Sequence, residues 1–119
     1  GDVAVGDVWA FGRDSGFVAG QVLVGFDVES ADGVIGHVER LEDEPGKQHL
    51  VVDTGVWKFG RSVLIPAGAV TVVDGEDRKV KVAASREEIK SAPRFTTDSE
   101  TTDRAYLAEV GAYYVSLRG

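Results

Sequence analysis

Residues 55–62 come within one substitution of a phosphate-binding loop. Four residues separate Gly55 from Gly60, and Arg61 stands where the lysine of such a loop belongs. A phosphate loop requires a helix after its serine, because the amino terminus of that helix faces the phosphate. The residues after Ser62 are instead Val-Leu-Ile-Pro, which predict a strand. We therefore interpret this segment as the turn of a hairpin and expect no nucleotide there.

Carboxylates and histidines are the next residues that could do chemistry, as metal ligands. Asp27, Glu29 and Asp32 resemble the start of a calcium loop, but its fifth position is alanine and its twelfth is not glutamate. The two histidines, His37 and His49, fall on different predicted strands and could share a metal only with both rings on one face. We expect solvated carboxylates, two separate histidines and no metal or other cofactor.

Ser62 is a candidate nucleophile, because a serine with a histidine and an aspartate can form a catalytic triad. The pair of glycines that flanks the nucleophile in an elbow motif is not present around it. The sequence contains no cysteine, which removes thiol nucleophiles and cysteine-bound zinc or iron–sulfur centres. These patterns predict a protein that is not an enzyme.

Composition restricts the partners. The chain has 119 residues, enough for one domain, and a net charge of −7 that repels nucleic acid and anionic lipid. Its longest apolar stretch, residues 17–26, is about half the length of a membrane helix and contains Gln21. The basic cluster at 78–81 is interpreted as a solvated strand edge. We expect no nucleic-acid partner, no membrane insertion and a cytoplasmic location.

The hairpin over residues 50–66 is the element around which the other strands are arranged. Alternate residues along each of its two valine-rich runs predict strands with one side facing a core. These residues are Leu50, Val52 and Thr54 in the first run and Val63 and Ile65 in the second. Pro66 cannot extend the ladder of hydrogen bonds and therefore ends the second strand.

Four further strands are predicted, two before this hairpin and two after it. The first has an apolar face made of Val22, Val24, Phe26 and Val28. An Asp-Gly turn at 32–33 leads into a strand over 34–43 that bends near Val38. Strands over 70–74 and 79–82 form another hairpin, in which Val80 and Val82 point inward.

Segments outside the strands complete the domain. Residues 1–20 are predicted to be an arm whose aromatic residues, Trp9, Phe11 and Phe17, dock on the domain. Ser85 and Glu88 form a capping box that starts a short helix. The domain over 21–93 is followed by a linker over 94–102.

Residues 103–119 are predicted to be an amphipathic helix. One side of it, an arc of ~120°, is apolar. That side consists of Tyr106, Leu107, Val110, Tyr113, Tyr114 and Leu117. Gly111 interrupts the helix at a cost of about 1 kcal/mol, so bending or fraying is expected there.

Three stretches of the sequence resemble the PRC-barrel family. They are LVGFDVESADGVIGHVERL, LVVDTGVWKFGRSVLIPAGAV and VKVAASREEIKSAP, and the strongest elements are the DG-x-IG turn and the hairpin closed by Leu-Ile-Pro. This is the barrel of the photosynthetic reaction-centre H subunit and of the ribosome-maturation factor RimM. The tail AYLAEVGAYY is similar to that of small stand-alone bacterial members. The resemblance implies a mainly β fold with a six-stranded barrel that works by binding proteins.

These observations predict a protein-binding or scaffold module that forms a homo-oligomer, with a dimer favoured. The candidate interaction surface has two parts. One is the turn that carries Trp57, Phe59 and Arg61, and the other is the apolar side of the C-terminal helix. A stripe rich in tyrosine suits an interface, so docking of this helix in a dimer is favoured over packing within its own chain. The alternative is a small-molecule binder or small enzyme that uses the barrel mouth near the same turn.

Overall fold

Six strands and two helices make up the part of the chain that the computed structural model describes, residues 8–55, 62–95 and 101–117. The strands are β1 (Asp27–Ser30), β2 (Gly33–Glu42), β3 (His49–Asp53), β4 (Ser62–Pro66), β5 (Val70–Asp74) and β6 (Lys79–Val82). The helices are α1 (Arg86–Lys90) and α2 (Arg104–Leu117), and a 3-10 turn over Ala67–Ala69 joins β4 to β5. The five strands predicted after the Asp-Gly turn at 32–33 are therefore present in the described residues, where no helix is long and apolar enough to span a membrane.

The strands form one mixed sheet in the order β4-β3-β2-β1-β6-β5. Neighbouring strands are antiparallel except for β1 and β6, which are parallel. Within the described residues the edge strands β4 and β5 do not pair with each other, so the sheet is open. The mainly β fold is confirmed, whereas the predicted closure into a barrel is not.

Three irregularities interrupt the pairing registers. One lies between Val28 and Glu29, one between Val38 and Arg40, and one between Val70 and Val72. An extra residue in one strand bends that strand and increases its twist. The predicted bend near Val38 is confirmed.

The interior is filled by alternate side chains of the strands. Val28, Val38, Val52, Val80 and Ile65 are fully buried. The predicted strand over residues 22–28 is wrong in its start and in the burial of Val22 and Val24, whereas Phe26 and Val28 of the same predicted face are buried. Val22 is 73 % and Val24 is 52 % exposed, whereas Leu23 and Phe26 lie in the core, and the strand begins only at Asp27. The apolar run contains valine or leucine in both phases, so composition alone does not choose between them.

The N-terminal arm is tied to three places on the sheet. The Gly68 amide donates a hydrogen bond to the Val8 carbonyl (2.8 Å), and the Gln48 amide donates to the Trp9 carbonyl (3.0 Å). Further along the arm, the Val73 amide of edge strand β5 donates to the Ser15 carbonyl. The arm therefore occupies part of the free edge that β5 would otherwise expose.

Aromatic residues of the arm lie against the core, as their size predicts. The rings of Phe11 and Phe17 stack with centroids 4.0 Å apart, and Trp9 packs edge-on against the His49 ring at 6.1 Å. Gly16, with φ of +92°, lies so close to β5 that a Cβ would be 2.9 Å from the Val73 carbonyl oxygen. Only glycine tolerates both the conformation and the contact.

Strand β3 is buried on both of its faces. Leu50 and Val52 face the interior, and Val51 on the opposite side is only 2 % exposed. Leu64, which pairs with Val51 from strand β4, is also 2 % exposed, and α2 packs on β4. The simple alternation read from the sequence predicted one buried side of this hairpin. The second side is buried because the C-terminal segment covers it.

The aspartate variant Val52→Asp tests the strand phase. Val52 is fully buried between its register partners Val38 and Val63, so an unpaired carboxylate there should cost several kcal/mol. The control Val22→Asp makes the same change at an exposed valine and should shift stability by about 0.5 kcal/mol or less. Urea denaturation of both variants measures the difference. Equal midpoints would contradict the assigned interior.

Candidate interaction surface

Half of the outer side of the sheet is left uncovered. The C-terminal segment covers β3 and β4, but the outward side chains of β5, β6, β1 and β2 are exposed or half-buried. We call this half the charged face. It consists of Val72 and Asp74 on β5, Lys79 and Lys81 on β6, Asp27 and Glu29 on β1, and Val34 and His37 on β2.

The charged face is arranged in two rows across the strands. Register partners place one row in the order Asp74, Lys79, Asp27 and His37. The second row has the order Val72, Lys81, Glu29 and Val34. Strand β6 therefore presents a column of two lysines beside a column of two carboxylates on β1. Neighbouring columns lie about 4.8 Å apart in a sheet.

The ion pairs on this side of the sheet are long and solvated. Lys81 Nζ lies 3.9 Å from Glu29 Oε1, and the two side chains are 52 % and 28 % exposed. His37 Nε2 lies 3.8 Å from Asp53 Oδ2 of β3, again between exposed side chains. Exposed pairs of this kind contribute about 0 to 1 kcal/mol to stability. These charged pairs therefore contribute little to the stability of the folded chain.

Two valines are exposed at the sides of this charged centre. Val34 is 46 % and Val72 is 38 % exposed, although both stand in strands whose other valines are buried. Each faces solvent because it shares its side of the sheet with the charged residues. Val18, Val22 and Val24 of the segment before β1 are more exposed still.

The turn that carries Trp57, Phe59 and Arg61 lies outside the described residues. Its two anchors are described. Gly55, with φ of +66°, donates its amide hydrogen to Asp53 Oδ1 at 2.8 Å, and Ser62 donates its hydroxyl hydrogen to Glu39 Oε1 at 3.0 Å. The turn therefore begins and ends at the edge of the sheet where Asp53 and Ser62 pair.

The apolar side of α2 packs inside its own chain. Tyr106, Val110 and Tyr114 are buried in the core, while Leu107, Tyr113 and Leu117 pack against it half-buried. The face predicted for α2 is thus the buried one. In this structure α2 therefore docks on the chain's own domain.

Hydrogen bonds from two tyrosines fix α2 to the segment before it. Tyr106 donates its hydroxyl hydrogen to the Pro93 carbonyl at 3.0 Å, and Tyr113 donates to the Glu88 carbonyl. The Tyr106 ring also packs edge-on against Phe95, with centroids 6.2 Å apart. Each ring buries its body while its hydroxyl reaches a backbone acceptor, as tyrosines at interfaces do.

A small cavity of about 90 Å³ lies between the arm, the 3-10 turn and α2. Val8, Ala69, Ala84 and Tyr114 are among the residues that line it. The Tyr114 hydroxyl is buried without a hydrogen-bond partner, and burial raises the pKa of Tyr114 far above its usual value. Pockets for metabolites or drugs measure roughly 300 to 1,000 Å³, so this cavity suits only a molecule of a few heavy atoms.

His49 is buried at the start of β3, far along the strand pair from His37. The two histidines pair with residues at opposite ends of the β2–β3 ladder, Glu42 and Asp53 respectively. His49 Nδ1 lies 2.9 Å from the Lys47 carbonyl oxygen, which makes it the protonated nitrogen, and the buried Nε2 has no partner. Burial lowers the pKa of His49, and the positive charge of Arg40 adds to this effect.

The charged face was not recognised as a unit from the sequence. Lys79 and Lys81 were interpreted as a solvated strand edge, and Asp27 and Glu29 were interpreted separately as solvated carboxylates. The alternation of charge with valine along 79–82 and 27–30 indicated one outward side for each strand. Their pairing could not be seen, because β1 and β6 lie far apart in the sequence and meet only through the register of the fold.

No protein-family model matches the sequence, and no curated protein matches it. The functional argument therefore depends on the residues and on their arrangement.

Replacement of Gly111 tests the docking of α2 within the chain. Gly111 is buried under Trp9, and a Cβ there would lie 2.9 Å from the indole Nε1. Alanine should favour the helix by about 1 kcal/mol, yet we expect Gly111→Ala to destabilise the parent chain because the indole must move. In a Trp9→Ala background the same change should stabilise. Thermal melts of the parent, the two single variants and the double variant measure the coupling between Trp9 and Gly111. A stabilising effect in the parent chain would contradict this packing.

Acid should destabilise the domain through His49. Its pKa is lowered in the folded state, so below about pH 6.5 the unfolded chain takes up a proton that the folded chain does not. Stability should be unaffected by His49 above that pH and should fall below it, by at most about 1.4 kcal/mol per pH unit. Urea denaturation at pH values between about 7.5 and 5.5, in steps of roughly one pH unit, measures the slope of the unfolding free energy against pH.

The variant His49→Phe should flatten this pH dependence, because phenylalanine can keep the edge contact with Trp9 but cannot bind a proton. His37→Gln is the matched control at the exposed histidine and should leave the pH dependence of stability unchanged. An unchanged slope in His49→Phe would show that another group is responsible.

Proposed function

We propose that this chain is a non-enzymatic protein-binding module of the PRC-barrel type that associates with a second copy of itself. The observation that carries the proposal is the charged face, where two exposed valines stand among alternating charges on a rigid sheet. The ion pairs there do little for folding, and exposed aliphatic side chains gain free energy when a partner covers them.

The order of the strands supports the barrel type. The two edge strands, β4 and β5, follow each other in the sequence and are joined only by the three residues of Ala67–Ala69. The two edges of the sheet are therefore connected by a short segment of chain, as they would be in a barrel that is opened between β4 and β5. The two bulges in β2 and the one in β5 favour the curvature that such a barrel requires.

The distribution of charge supports a second copy as the partner. The charged face carries three carboxylates and two lysines, so most of the net charge of −7 lies elsewhere on the chain. Two copies can therefore meet on this face with less electrostatic repulsion than on an average part of their surface. Its mixture of both signs also offers attractive pairs, which a face of one sign does not.

Self-association should be visible as a rise in mass with concentration. Sedimentation equilibrium of the full chain from about 10 µM to 500 µM should show a monomer–dimer equilibrium, because a contact of this limited size is a weak one. A chain that remained monomeric over this range would contradict the proposal.

Variants at the exposed valines test which surface is used. The double variant Val34→Thr/Val72→Thr keeps β-branched side chains in the strands but makes the charged face less apolar, so it should weaken the dimer. The control Val18→Thr/Val22→Thr makes the same changes at exposed valines outside that face and should not. Equal effects of the two double variants would remove the charged face from the proposal.

A further inference from the structure

We infer that two copies pair through the charged face about a two-fold axis that runs along the strands, between β1 and β6. The inference rests on the proposed function and specifies the contact that self-association would use. Its basis is that the two rows of the charged face are complementary to themselves when one copy is turned over onto the other.

The effect of such an axis follows from the order of the strands. A rotation of 180° about a line between β1 and β6 keeps each row at its own level and exchanges left with right. Strand β1 of one copy then faces β6 of the other, and β2 faces β5. Two faces of twisted sheets pack in this aligned manner at a small angle. The contact is isologous, so each pairing occurs twice.

The central columns meet with opposite charge. Asp27 and Lys79 are register partners within a chain, as are Glu29 and Lys81. The rotation therefore places Asp27 opposite Lys79 of the second copy and Glu29 opposite Lys81 of the second copy. Four attractive pairs line the axis. The charges that were spaced and solvated in one chain gain a second opposite neighbour in the dimer.

The flanking columns are complementary as well. In the second row Val34 comes opposite Val72 of the second copy, so the two exposed aliphatic side chains lie toward each other. In the first row His37 comes opposite Asp74 of the second copy. All four kinds of pairing are favourable, and none sets like charges or a charge against a valine. Moving the axis by one strand does not preserve these pairings, because it sets Val34 opposite Glu29 in one direction and Val72 opposite Lys81 in the other.

The size of this contact predicts its strength. Eight residues per copy are fewer than the roughly 20 to 30 per side of a stable interface. The dimer should accordingly be weak and reversible, and its charged pairs should determine its geometry more than its affinity.

Charge reversals at Glu29 and Lys81 test the arrangement. Glu29→Lys alone places lysine opposite lysine across the axis, and Lys81→Glu alone places glutamate opposite glutamate. Each single variant should therefore associate at least about tenfold more weakly than the parent. For Glu29→Lys this loss cannot come from general repulsion, since the variant lowers the magnitude of the net charge below that of the parent.

Mixing separates a contact between copies from a contact within one copy. In an equimolar mixture of the two single variants, lysines of one chain face glutamates of the other, so association should return to at least the parental level. Within each chain the 3.9 Å pair remains like-charged and cannot be repaired by mixing. The double variant Glu29→Lys/Lys81→Glu restores opposite charges both within each chain and across the axis. It should therefore associate as the parent does. Light scattering at equal total concentration measures the average mass in five samples. These are the parent, the two single variants, their equimolar mixture and the double variant.

Four outcomes decide the inference. Recovery in the mixture supports it. A mixture no heavier than its components refutes it, and so do single variants that associate as tightly as the parent. In the last case the parent still self-associates, so the proposed function stands and only this face and axis are wrong. A parent chain that is monomeric throughout refutes both.

Discussion

Burial of β3 on both faces is the constraint on which the rest of the arrangement depends. Its inner residues fill the interior of the sheet, and Val51 on its outer side also needs cover. A strand in this position reads as a continuous apolar run, because neither face reaches water. The C-terminal segment supplies the cover by packing on β3 and β4, and it needs its own support in turn. That support comes from the arm, whose Trp9 lies against Gly111 of α2.

This one-sided cover divides the outer side of the sheet into unlike halves. On β3 and β4 the outward residues Val51 and Leu64 are buried, and α2 packs on β4. On β5, β6, β1 and β2 the outward residues are mostly charged, and they are exposed or half-buried. The division is sharp along β2, where Arg40 reaches Thr101 of the C-terminal segment while His37 remains exposed. The candidate surface is therefore a consequence of where the helix stops.

Local patterns in the sequence predicted most of the elements. Turn residues such as Asp32 and Gly33, the alternation along 79–82, and the capping box at Ser85 act over a few residues, and each is present in the structure. The apolar side of α2 was also predicted correctly, since a 3.6-residue period is local too. The partner of that side could not be predicted from the pattern, because a tyrosine-rich side is equally suited to a neighbouring molecule and to the chain's own core.

Long-range features could not be predicted in this way. The choice between Val22 and Leu23 as the buried residue depends on where the segment meets Val38, to which Gly25 and Phe26 are hydrogen-bonded. The charged rows likewise depend on the pairing of β1 with β6. A sequence shows which residues share one side of one strand, but the assembly of four strands into rows is a property of the complete sheet.

The parallel pairing of β1 with β6 also has a consequence for the time course of folding. The hairpins β1–β2, β3–β4 and β5–β6 join neighbouring parts of the chain, whereas β1 and β6 can meet only after the intervening chain has been drawn into a loop. Contacts between distant residues form slowly, because the loss of loop entropy precedes the gain from pairing. The two halves of the rows are thus brought together in one late step. A nascent or partly unfolded chain would carry both columns of charge without the geometry that joins them, so the association that we propose would require the complete sheet.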